Sequence, residues 1–326
     1  MIAIDGKTVR GARTATSTAP HLLSVLDHAT GVVLGQHAVA DKTNEIPAVR
    51  ELLAGFDPAD LRGCVVTVDA MHTQSDTAQA ILAAEADYVF TVKGNQPKLL
   101  AALKQLPWRA IPVAAQQREH GHGRMATRTL KVTDVPDWIT FTGAAQIAQL
   151  RRTTTRRGRR SVEVVYLITS ADRATAPATV LAAWVQGHWG IENRLHWVRD
   201  VTFDEDRSQT RAGAAPHIMA ALRNTAINIL RLAGATNIAA ALRHHDRHTR
   251  APERSECRAC DLRERGGMVG VAGVRMGSVA LRWKFSRSPS RARTPSARVI
   301  LADRCCPVEP RPGGAAAGAA RGARSS

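Results

Sequence analysis

The sequence Cys64-Val-Val-Thr-Val-Asp69 decides the fold class of this 326-residue chain. The five residues before the aspartate carry no charge and four of them are apolar, which predicts a strand buried inside a sheet covered on both faces. Residues 75–86 are rich in alanine and predict a helix, and residues 87–93 predict the next strand. Strands that alternate with helices in this way indicate an α/β layer architecture.

Upstream of this strand, short apolar or β-type runs predict three more strands, the last two of which are joined as a hairpin by Ala29-Thr30-Gly31. These strands are residues 1–5, 21–28 and 31–39. Helical spacing predicts helices at residues 45–56 and at 96–106, the second opened by Pro97. The predicted order, β-β-β-α-β-α-β-α, gives a mixed sheet flanked by helices and resembles the order of RNase H-like domains.

The second half of the chain changes character. Residues 107–165 are rich in β-branched and basic residues and lead into a strand-like run at 162–168, which predicts a β-rich insertion. Three helical stretches follow, at residues 176–201, 214–234 and 237–245. The folded domain is therefore expected to span residues 1–248. Beyond it, Arg, Ala, Gly, Ser and Pro dominate without an apolar period, so residues 249–326 are expected to be a basic, low-complexity and disordered tail.

The balance of charge favours a polyanionic partner. Lys and Arg outnumber Asp and Glu by 45 to 28, for a formal net charge of +17. Basic side chains that neutralise phosphates release condensed counterions, so nucleic acid is the partner that this charge indicates. Residues 246–326 alone hold 17 basic and 7 acidic residues, more than half of the excess, so the total charge is a weak argument about the folded part.

Secretion and membrane insertion are disfavoured. The chain does not begin with a basic region followed by an apolar stretch, and no apolar run approaches the ~18–20 residues that cross a bilayer. Five cysteines, with Cys64 isolated, do not form the framework of a secreted disulfide-rich protein. We therefore expect a cytoplasmic protein without a membrane partner.

Three acidic residues are candidates for catalysis. Asp5 and Asp69 each end a predicted strand, and if these strands are neighbours the two carboxylates meet at one edge of the sheet. Glu192 lies on the predicted helix 176–201, whose α-helical spacing gives it a polar and an apolar face. The polar face holds His188, Glu192, His196 and Arg199, and the apolar face holds Trp184, Ile191, Leu195 and Val198. Packing of the apolar face on the sheet lays Glu192 over the edge that carries the other two acids.

Such a site suits phosphoryl transfer on DNA. Three oxygen ligands favour Mg²⁺ or Mn²⁺ over zinc, and two such ions activate the attacking oxygen and stabilise the leaving oxygen. Each acid also has an ordinary structural interpretation. An Asp before Gly, such as Asp5, is usually a turn residue, and a Glu among Trp and His residues on an amphipathic helix is more often solvated or salt-bridged.

Four segments of the sequence resemble one family closely. They are Ile-Asp-Gly-Lys-Thr-Val-Arg-Gly (4–11), Asp-Ala-Met-His-Thr-Gln (69–74), Tyr-Val-Phe-Thr-Val-Lys-Gly-Asn-Gln (88–96) and His-Trp-Gly-Ile-Glu-Asn-Arg-Leu-His-Trp-Val-Arg-Asp-Val-Thr-Phe-Asp-Glu-Asp (188–206). In their order and spacing they are similar to bacterial insertion-sequence transposases of the ISAs-one type, a branch of the DDE transposases. The resemblance covers about residues 2–245.

The resemblance implies a function and a set of ligands. Asp5, Asp69 and Glu192 occupy the family's three catalytic and metal-binding positions, where they would hold two ions, Mg²⁺ or Mn²⁺. The implied reaction is metal-dependent cleavage and strand transfer of insertion-sequence ends. The implied partners are element-end and target DNA, bound as a homodimer at the nucleoid of a bacterial cytoplasm.

The resemblance also suggests DNA contacts. In the wider superfamily a Tyr, an Arg and a Lys surround the Glu; the matching positions here hold Val185, His188 and Arg199, and Arg199 is expected to clamp a phosphate bidentately. The residues predicted to bind DNA are Lys7, Lys93, Asn95, His188, Arg194, His196, Arg199, and in one basic stretch Arg156, Arg157, Arg159 and Arg160. A solvated loop is the alternative for the basic stretch, as helix capping is for Asn95. Trp189 and Trp197 are expected to pack rather than stack on a base.

Three departures from the family pattern suggest a truncated element. The chain begins almost on the first strand, Ala126 stands where the family usually has Glu, and the tail after about residue 248 differs from the family's ending. We therefore expect an element shortened at the N-terminus with an atypical C-terminal tail. Two alternatives to an active transposase stay open: an RNase H-like nuclease without strand transfer, and a catalytically inactive DNA-binding remnant.

Overall fold

The computed structural model describes residues 1–39, 45–121, 123–248, 273–276 and 279–282. In its first half, five strands form one side of a mixed sheet: β1 (Ile2–Thr8), β2 (His21–Asp27), β3 (Val33–Val39), β4 (Val65–Val68) and β5 (Asp87–Val92). Antiparallel pairing joins β1 to β2 and β2 to β3, whereas β4 runs parallel to both β1 and β5. The predicted mixed sheet, its hairpin and its buried central strand are confirmed.

Four helices accompany these strands: α1 (Glu45–Ala54), α2 (Pro58–Leu61), α3 (Ser75–Ala83) and α4 (Pro97–Gln105). The short α2 was not predicted; Pro58 opens it and the Asp57 carboxylate caps it by accepting the Ala59 N–H. Apolar residues of α1, α3 and α4 pack on one face of the sheet and form the main core. Its members include Ile4, Val66, Val68, Tyr88 and Phe90 from the strands and Val49, Ile81 and Leu103 from the helices.

Residues 115–169 form four long antiparallel strands: β6 (Ala115–Gly121), β7 (Arg124–Asp134), β8 (Gln146–Arg156) and β9 (Arg159–Thr169). The sequence predicted the β-rich character of this segment and its last strand, but not the three strands before it. Since β9 pairs with β5, all four strands continue the same sheet. The order of its nine strands is β3-β2-β1-β4-β5-β9-β8-β7-β6.

The hairpin of β8 and β9 extends past the body of the sheet. Only Tyr166–Thr169 of β9 pair with β5, where Tyr166 lies opposite Val92, the last residue of β5. Residues 159–165 therefore continue beyond the carboxyl end of β5. At the tip, Arg157 and Gly158 both have positive φ, 47° and 74°, which matches a two-residue type I′ turn.

Three helices complete the domain: α5 (Ala178–His188), α6 (Ala215–Leu232) and α7 (Ile238–His248). Helical backbone continues after α5, but two segments of it, Glu192–His196 and Val198–Thr202, are π-helical. Their hydrogen bonds span five residues, as from the Phe203 N–H to the Val198 carbonyl at 3.1 Å. The prediction of one helix at 176–201 therefore has the right extent, but its assumption of α-helical spacing throughout is wrong.

The helix that follows α5 packs on the opposite face of the sheet from α1. Ile191 and Leu195 of this helix and Ile227 of α6 form a second core with Ala3 of β1 and Leu26 of β2. Successive residues of a strand face opposite sides, so Ala3 and Ile4 belong to different cores. As a result β1 is covered on both faces, and its polar residues lie between the sheet and the Glu192 helix.

Beyond residue 248 the structure describes two short antiparallel strands, β10 (Gly273–Met276) and β11 (Val279–Arg282). The rest of the predicted disordered tail lies outside the described residues. Among the described residues, no helix is long and apolar enough to span a membrane.

Candidate functional site

Asp5 and Asp69 lie on neighbouring parallel strands. The register pairs Ile4 of β1 with Val68 of β4, so each aspartate is the next residue along its strand. Asp69 directly follows β4, where its Oδ1 accepts the Ala70 N–H at 2.7 Å and starts a short 3-10 turn. The prediction that Asp5 ends its strand is wrong, because β1 keeps its pairing with β2 as far as Thr8; only the pairing with β4 stops at Ile4.

Glu192 and His196 approach Asp5 from the π-helical segment Glu192–His196. The His196 Nδ1 lies 3.4 Å from Asp5 Oδ2 and 3.7 Å from Glu192 Oε2. One ligand atom from each of the three residues lies within 4.8 Å of the other two. His196 is buried, Asp5 is partly buried and Glu192 is exposed, so the cluster opens to the surface on its glutamate side.

The surroundings shift the pKa values of the two carboxyls in opposite directions. Burial raises the pKa of Asp5 to about 6, helped by the negative charges of Glu192 and Asp69 and opposed by His196. The nearby His196 ring holds the pKa of Glu192 below its usual value. Asp69 therefore lies close enough to Asp5 to contribute to its field, and the three acids share one electrostatic environment.

Arg199 does not face a DNA phosphate, contrary to the prediction. Its side chain is 0% exposed and pairs with the equally buried Glu205, with Nε–Oε2 3.0 Å and Nη2–Oε2 2.8 Å. Arg223 of α6 reaches the same carboxylate, Nη1 to Oε1 at 3.2 Å. The cause is the widened helix: each π turn holds more residues than the 3.6 of an α turn, so residues after Glu192 rotate away from the predicted polar face.

Lys7 and His196 are also placed differently from the prediction that they bind DNA. Lys7 is buried and its Nζ lies 2.5 Å from Asp200 Oδ1. His196 is buried between the Asp5 and Glu192 carboxylates. The Lys7 ammonium and the His196 ring each lie against a carboxylate of the protein, so neither side chain is available to a phosphate.

His188 and Arg194 line the junction between the helix and the sheet. The His188 Nδ1 lies 3.0 Å from the Thr67 hydroxyl, which is also 3.3 Å from His28 Nε2. Burial lowers the pKa of His188, so the neutral ring is favoured there. Arg194 donates from Nη1 to the His28 carbonyl at 2.6 Å and borders a cavity of about 460 Å³ between α5 and strands β6–β8.

The remaining predicted DNA-binding residues are exposed. Lys93 follows β5 at the sheet edge that holds Asp69, and Asn95 next to it donates to the Ala70 carbonyl at 2.7 Å. Asn95 thus holds the Asp69 turn rather than capping a helix. The four arginines of the basic stretch lie at the tip of the β8–β9 hairpin, which extends past that same sheet edge: Arg156, Arg157, Arg159 and Arg160.

From the sequence we expect Trp189 and Trp197 to pack against the protein. In the structure both side chains are instead largely exposed, at 64% and 54%. They lie three residues before and five residues after Glu192. Trp189 also borders the cavity beside α5. Two large aromatic side chains are therefore exposed on the helical segment that carries Glu192.

A buried polar network behind the site was not predicted. Glu45 of α1 accepts from His21 Nε2 at 2.9 Å and from His72 Nε2 at 3.3 Å, and His21 Nδ1 lies 2.9 Å from the Thr8 hydroxyl. These contacts outweigh the effect of burial and lower the pKa of Glu45 to about 2. A Cβ at Gly6 would clash with His21 Nε2, so the residue after Asp5 has no room for a side chain. In the sequence, the glycine that follows Asp5 was the feature that could have indicated this crowded, buried network.

Comparison with known proteins gives the family. Residues 1–229 match the family model of the transposase DDE domain, and the chain belongs to this family. "Putative transposase YncI" of Escherichia coli O157:H7 is 35% identical over 250 residues, 71% of this chain and 62% of that protein. "H repeat-associated putative transposase YhhI" of Escherichia coli strain K12 is 35% identical over 246 residues, 71% of this chain and 64% of that protein. The chain thus spans less than two thirds of the length of these curated relatives.

A solved structure of piggyBac transposase in a synaptic complex with hairpin DNA aligns with 77% of this chain and 54% of that chain. Its TM-score is 0.42 and the sequence identity is 15%. A likeness at this level does not establish a common fold.

Proposed function

We propose that residues 1–248 are the catalytic domain of a DNA transposase of the ISAs-one type, which cuts and joins insertion-sequence ends. The observation that carries the proposal is the meeting of three acids. Asp5 and Asp69 follow paired positions of two parallel strands, and Glu192 lies within 4.8 Å of Asp5, atom to atom. Membership in the transposase DDE domain family supports the assignment of all three as catalytic.

We also propose that the fold is RNase H-like. The strand order β3-β2-β1-β4-β5, with β2 antiparallel and helices on both faces, supports this part of the proposal. On this view β6–β9 are an insertion between the α/β body and the helix that carries Glu192. The insertion contributes the hairpin whose basic tip extends past the edge of the sheet.

The residues present fit a pair of hard divalent cations. Asp5, Asp69 and Glu192 would hold Mg²⁺ or Mn²⁺, because carboxylates are the preferred ligands of these ions. When bound, two ions supply activation of the attacking oxygen and stabilisation of the leaving oxygen. Glu192 and Asp69 both contribute to the electrostatic field at Asp5, so the three carboxylates are near enough to act together on bound ions. The exposed side of Glu192 leaves the site open to a DNA backbone.

Several exposed side chains would contact DNA. Lys93 lies at the sheet edge of the site, and the arginines of the β8–β9 tip would neutralise phosphates further along the duplex. Trp189 and Trp197 present aromatic faces on which an unpaired base can stack. An insertion sequence has two ends, so two copies of the chain, as a homodimer on DNA, are the smallest assembly that engages both. The reaction would take place at the nucleoid, in the cytoplasm.

Cleavage of element ends tests the proposal. The substrate is duplex DNA that carries the terminal repeats flanking the gene, in Mg²⁺ or Mn²⁺, with a second duplex as target. Asp5→Asn, Asp69→Asn and Glu192→Gln should each abolish cleavage and leave DNA affinity largely unchanged. Asp60→Asn, which changes an exposed acid on α2 in the same way, is the matched control and should cleave normally.

The products separate the alternatives. Joined donor and target strands support a transposase, whereas cut ends without joining indicate a nuclease of the same fold. Binding without cleavage by the unaltered chain, in both metals, would leave only the inactive DNA-binding remnant. Normal cleavage by one of the three acid variants would exclude that residue as an essential ligand.

A further inference from the structure

We propose that His196 is a metal ligand, which binds through Nδ1 the ion held by Asp5 and Glu192. This inference rests on the proposed function, which calls for an ion at this position. It adds a nitrogen to a site that the sequence described as three carboxylates. The result is a mixed set of donors, with consequences for which metal binds.

The position of the ring supports this role. His196 is buried, and its Nδ1 faces both carboxylates, 3.4 Å from Asp5 Oδ2 and 3.7 Å from Glu192 Oε2. Both distances exceed the about 2.7–2.9 Å of a charge-assisted hydrogen bond. The Nε2 atom is buried without a hydrogen-bond partner among the described residues. Nδ1 is therefore the ring atom that can reach an ion between the two acids.

The spacing of the three donors is close to that of a metal shell. An ion with bonds of about 2.0–2.2 Å places neighbouring ligands of an octahedron roughly 3 Å apart and opposite ligands roughly 4.2 Å apart. The three ligand atoms, one each from Asp5, Glu192 and His196, lie within 4.8 Å of one another. Shifts of a few tenths of an ångström up to about 1 Å in side-chain position, well within rotamer adjustment, would bring all three within bonding distance of one ion.

The backbone also favours this arrangement. Glu192 and His196 are the first and last residues of the π-helical segment, and the buried Leu195 anchors the segment in the second core. The imidazole is thus fixed by packing before an ion arrives, and the exposed Glu192 side chain is the part that adjusts. π turns of this kind are common where a helix positions functional side chains.

The nitrogen donor changes the expected metal preference. Imidazole suits transition metals, whereas Mg²⁺ prefers carboxylate and water oxygens. A site with two carboxylates and one imidazole should therefore bind Mn²⁺ more tightly than Mg²⁺. Replacing the imidazole by an amide oxygen should reduce this difference.

His188 is a matched control, because its ring also lies beside the acids. It differs in one respect: its Nδ1 is engaged by the Thr67 hydroxyl at 3.0 Å. If any nearby histidine could serve as ligand, His188 and His196 variants would behave alike. If the position of the ring nitrogen determines which histidine binds the ion, only the His196 variant should lose the nitrogen ligand.

The test is electron spin echo envelope modulation of the full chain with substoichiometric Mn²⁺ and no DNA. The unaltered chain and His188→Asn should show nitrogen coupling to the bound Mn²⁺. His196→Asn, which offers an amide oxygen near the place of Nδ1, should lose the coupling and bind Mn²⁺ roughly tenfold more weakly. Its Mg²⁺ affinity, measured by competition, should fall less.

Absence of nitrogen coupling in the unaltered chain would overturn the inference without reliance on any variant. Coupling that persists in His196→Asn would overturn it as well. The proposed function has a separate outcome. Nitrogen coupling without cleavage of element ends would refute the transposase and support the ligand, whereas cleavage in Mg²⁺ without coupling would refute the ligand alone.

Discussion

Lys7 and Asp200 form an ion pair between the first strand and the helix that carries Glu192, with 2.5 Å between Nζ and Oδ1. Lys7 lies two residues after Asp5, on the same face of β1, and Asp200 lies four residues after His196. Strand and helix are therefore joined at two successive points, at Asp5 with His196 and at Lys7 with Asp200. The second contact fixes the register at which Glu192 meets Asp5.

Removal of the Lys7 ammonium should destabilise the fold. Lys7→Met leaves Asp200 without its partner in a partly buried place, so the free energy of unfolding should fall by about 1.5–3 kcal/mol. Urea denaturation measures this change. In the double variant with Asp200→Asn the decrease should be smaller than the sum of the two single decreases.

An exposed ion pair provides the comparison. Arg173 and Asp134 lie 2.6 Å apart, yet both side chains are more than half exposed. Arg173→Met should therefore change the unfolding free energy by less than about 1 kcal/mol. Equal decreases for Lys7→Met and Arg173→Met would show that the Lys7–Asp200 ion pair stabilises the fold no more than an exposed ion pair does.

The buried cluster of Arg199, Glu205 and Arg223 should be the most sensitive part of the helix. Glu205→Gln leaves two guanidinium groups near one neutral amide and should cost about 3–5 kcal/mol of unfolding free energy. Arg199→Met should also destabilise the fold, because it leaves Glu205 with Arg223 alone. A thermal melt of each variant measures the effect, and an unchanged melting temperature for Glu205→Gln would contradict it.

The basic tip of the β8–β9 hairpin should account for part of the salt dependence of DNA binding. Changing Arg156, Arg157, Arg159 and Arg160 together to Ala should reduce the slope of log K against log salt by up to about 0.9 for each phosphate that the tip neutralises. Arg173→Ala is the control, because its side chain is exposed and already paired with Asp134. An unchanged slope would identify the tip as a solvated loop.

The contrast between Arg199 and Glu192 shows what the sequence could and could not predict. The apolar run before Asp69 was sufficient to predict a buried strand, because burial on both faces leaves a clear pattern. The α-helical period placed Arg199 beside Glu192, whereas two π-helical segments turn it into the interior. Hydrogen bonds that span five residues leave no mark in an apolar period, since Ile191, Leu195 and Val198 remain buried in both geometries.

Strands β6, β7 and β8 were missed for a different reason. Their outer halves carry Arg and Thr rather than an alternation of apolar and polar residues, as in Arg151-Arg-Thr-Thr-Thr-Arg156. Backbone pairing with long neighbouring strands stabilises such segments without a buried face. His196 was assigned to DNA because its burial between two carboxylates depends on tertiary packing.

Acid should destabilise the fold through Glu45. Its pKa is lowered from 4.5 to about 2 in the folded state, so the carboxylate contributes stability that is present above about pH 4.5 and is lost as the pH falls toward 2. The decrease is on the order of 3 kcal/mol, since each pKa unit corresponds to about 1.4 kcal/mol. Denaturant titrations between about pH 6 and pH 3 should therefore show a steeper decline for the unaltered chain than for Glu45→Gln. Glu163→Gln should decline like the unaltered chain.

Removal of residues 249–326 should change the salt dependence of DNA binding and leave the stability of the folded domain unchanged. Residues 246–326 carry a net charge of +10, so a chain that ends at His248 should bind DNA with a flatter salt dependence. Its melting transition should match that of the full chain, and metal binding should be unchanged, because Asp5, Asp69 and Glu192 all precede the cut. A core that unfolds at a lower temperature after the cut would show that the segment belongs to the folded domain.

The hairpin that continues past β5 gives the protein a measurable reach. Residues 159–165 extend beyond the last pairing with β5, and at about 3.3 Å per residue they cover roughly 23 Å. Along B-DNA, at about 3.4 Å per base pair, that length equals roughly six to seven base pairs. On the proposed function, with the hairpin lying along the duplex, the arginines at the tip would contact phosphates more than half a helical turn from the bond being cut. A substrate with fewer flanking base pairs on that side would lack these contacts. It should therefore be cleaved less efficiently than a substrate with a longer flank.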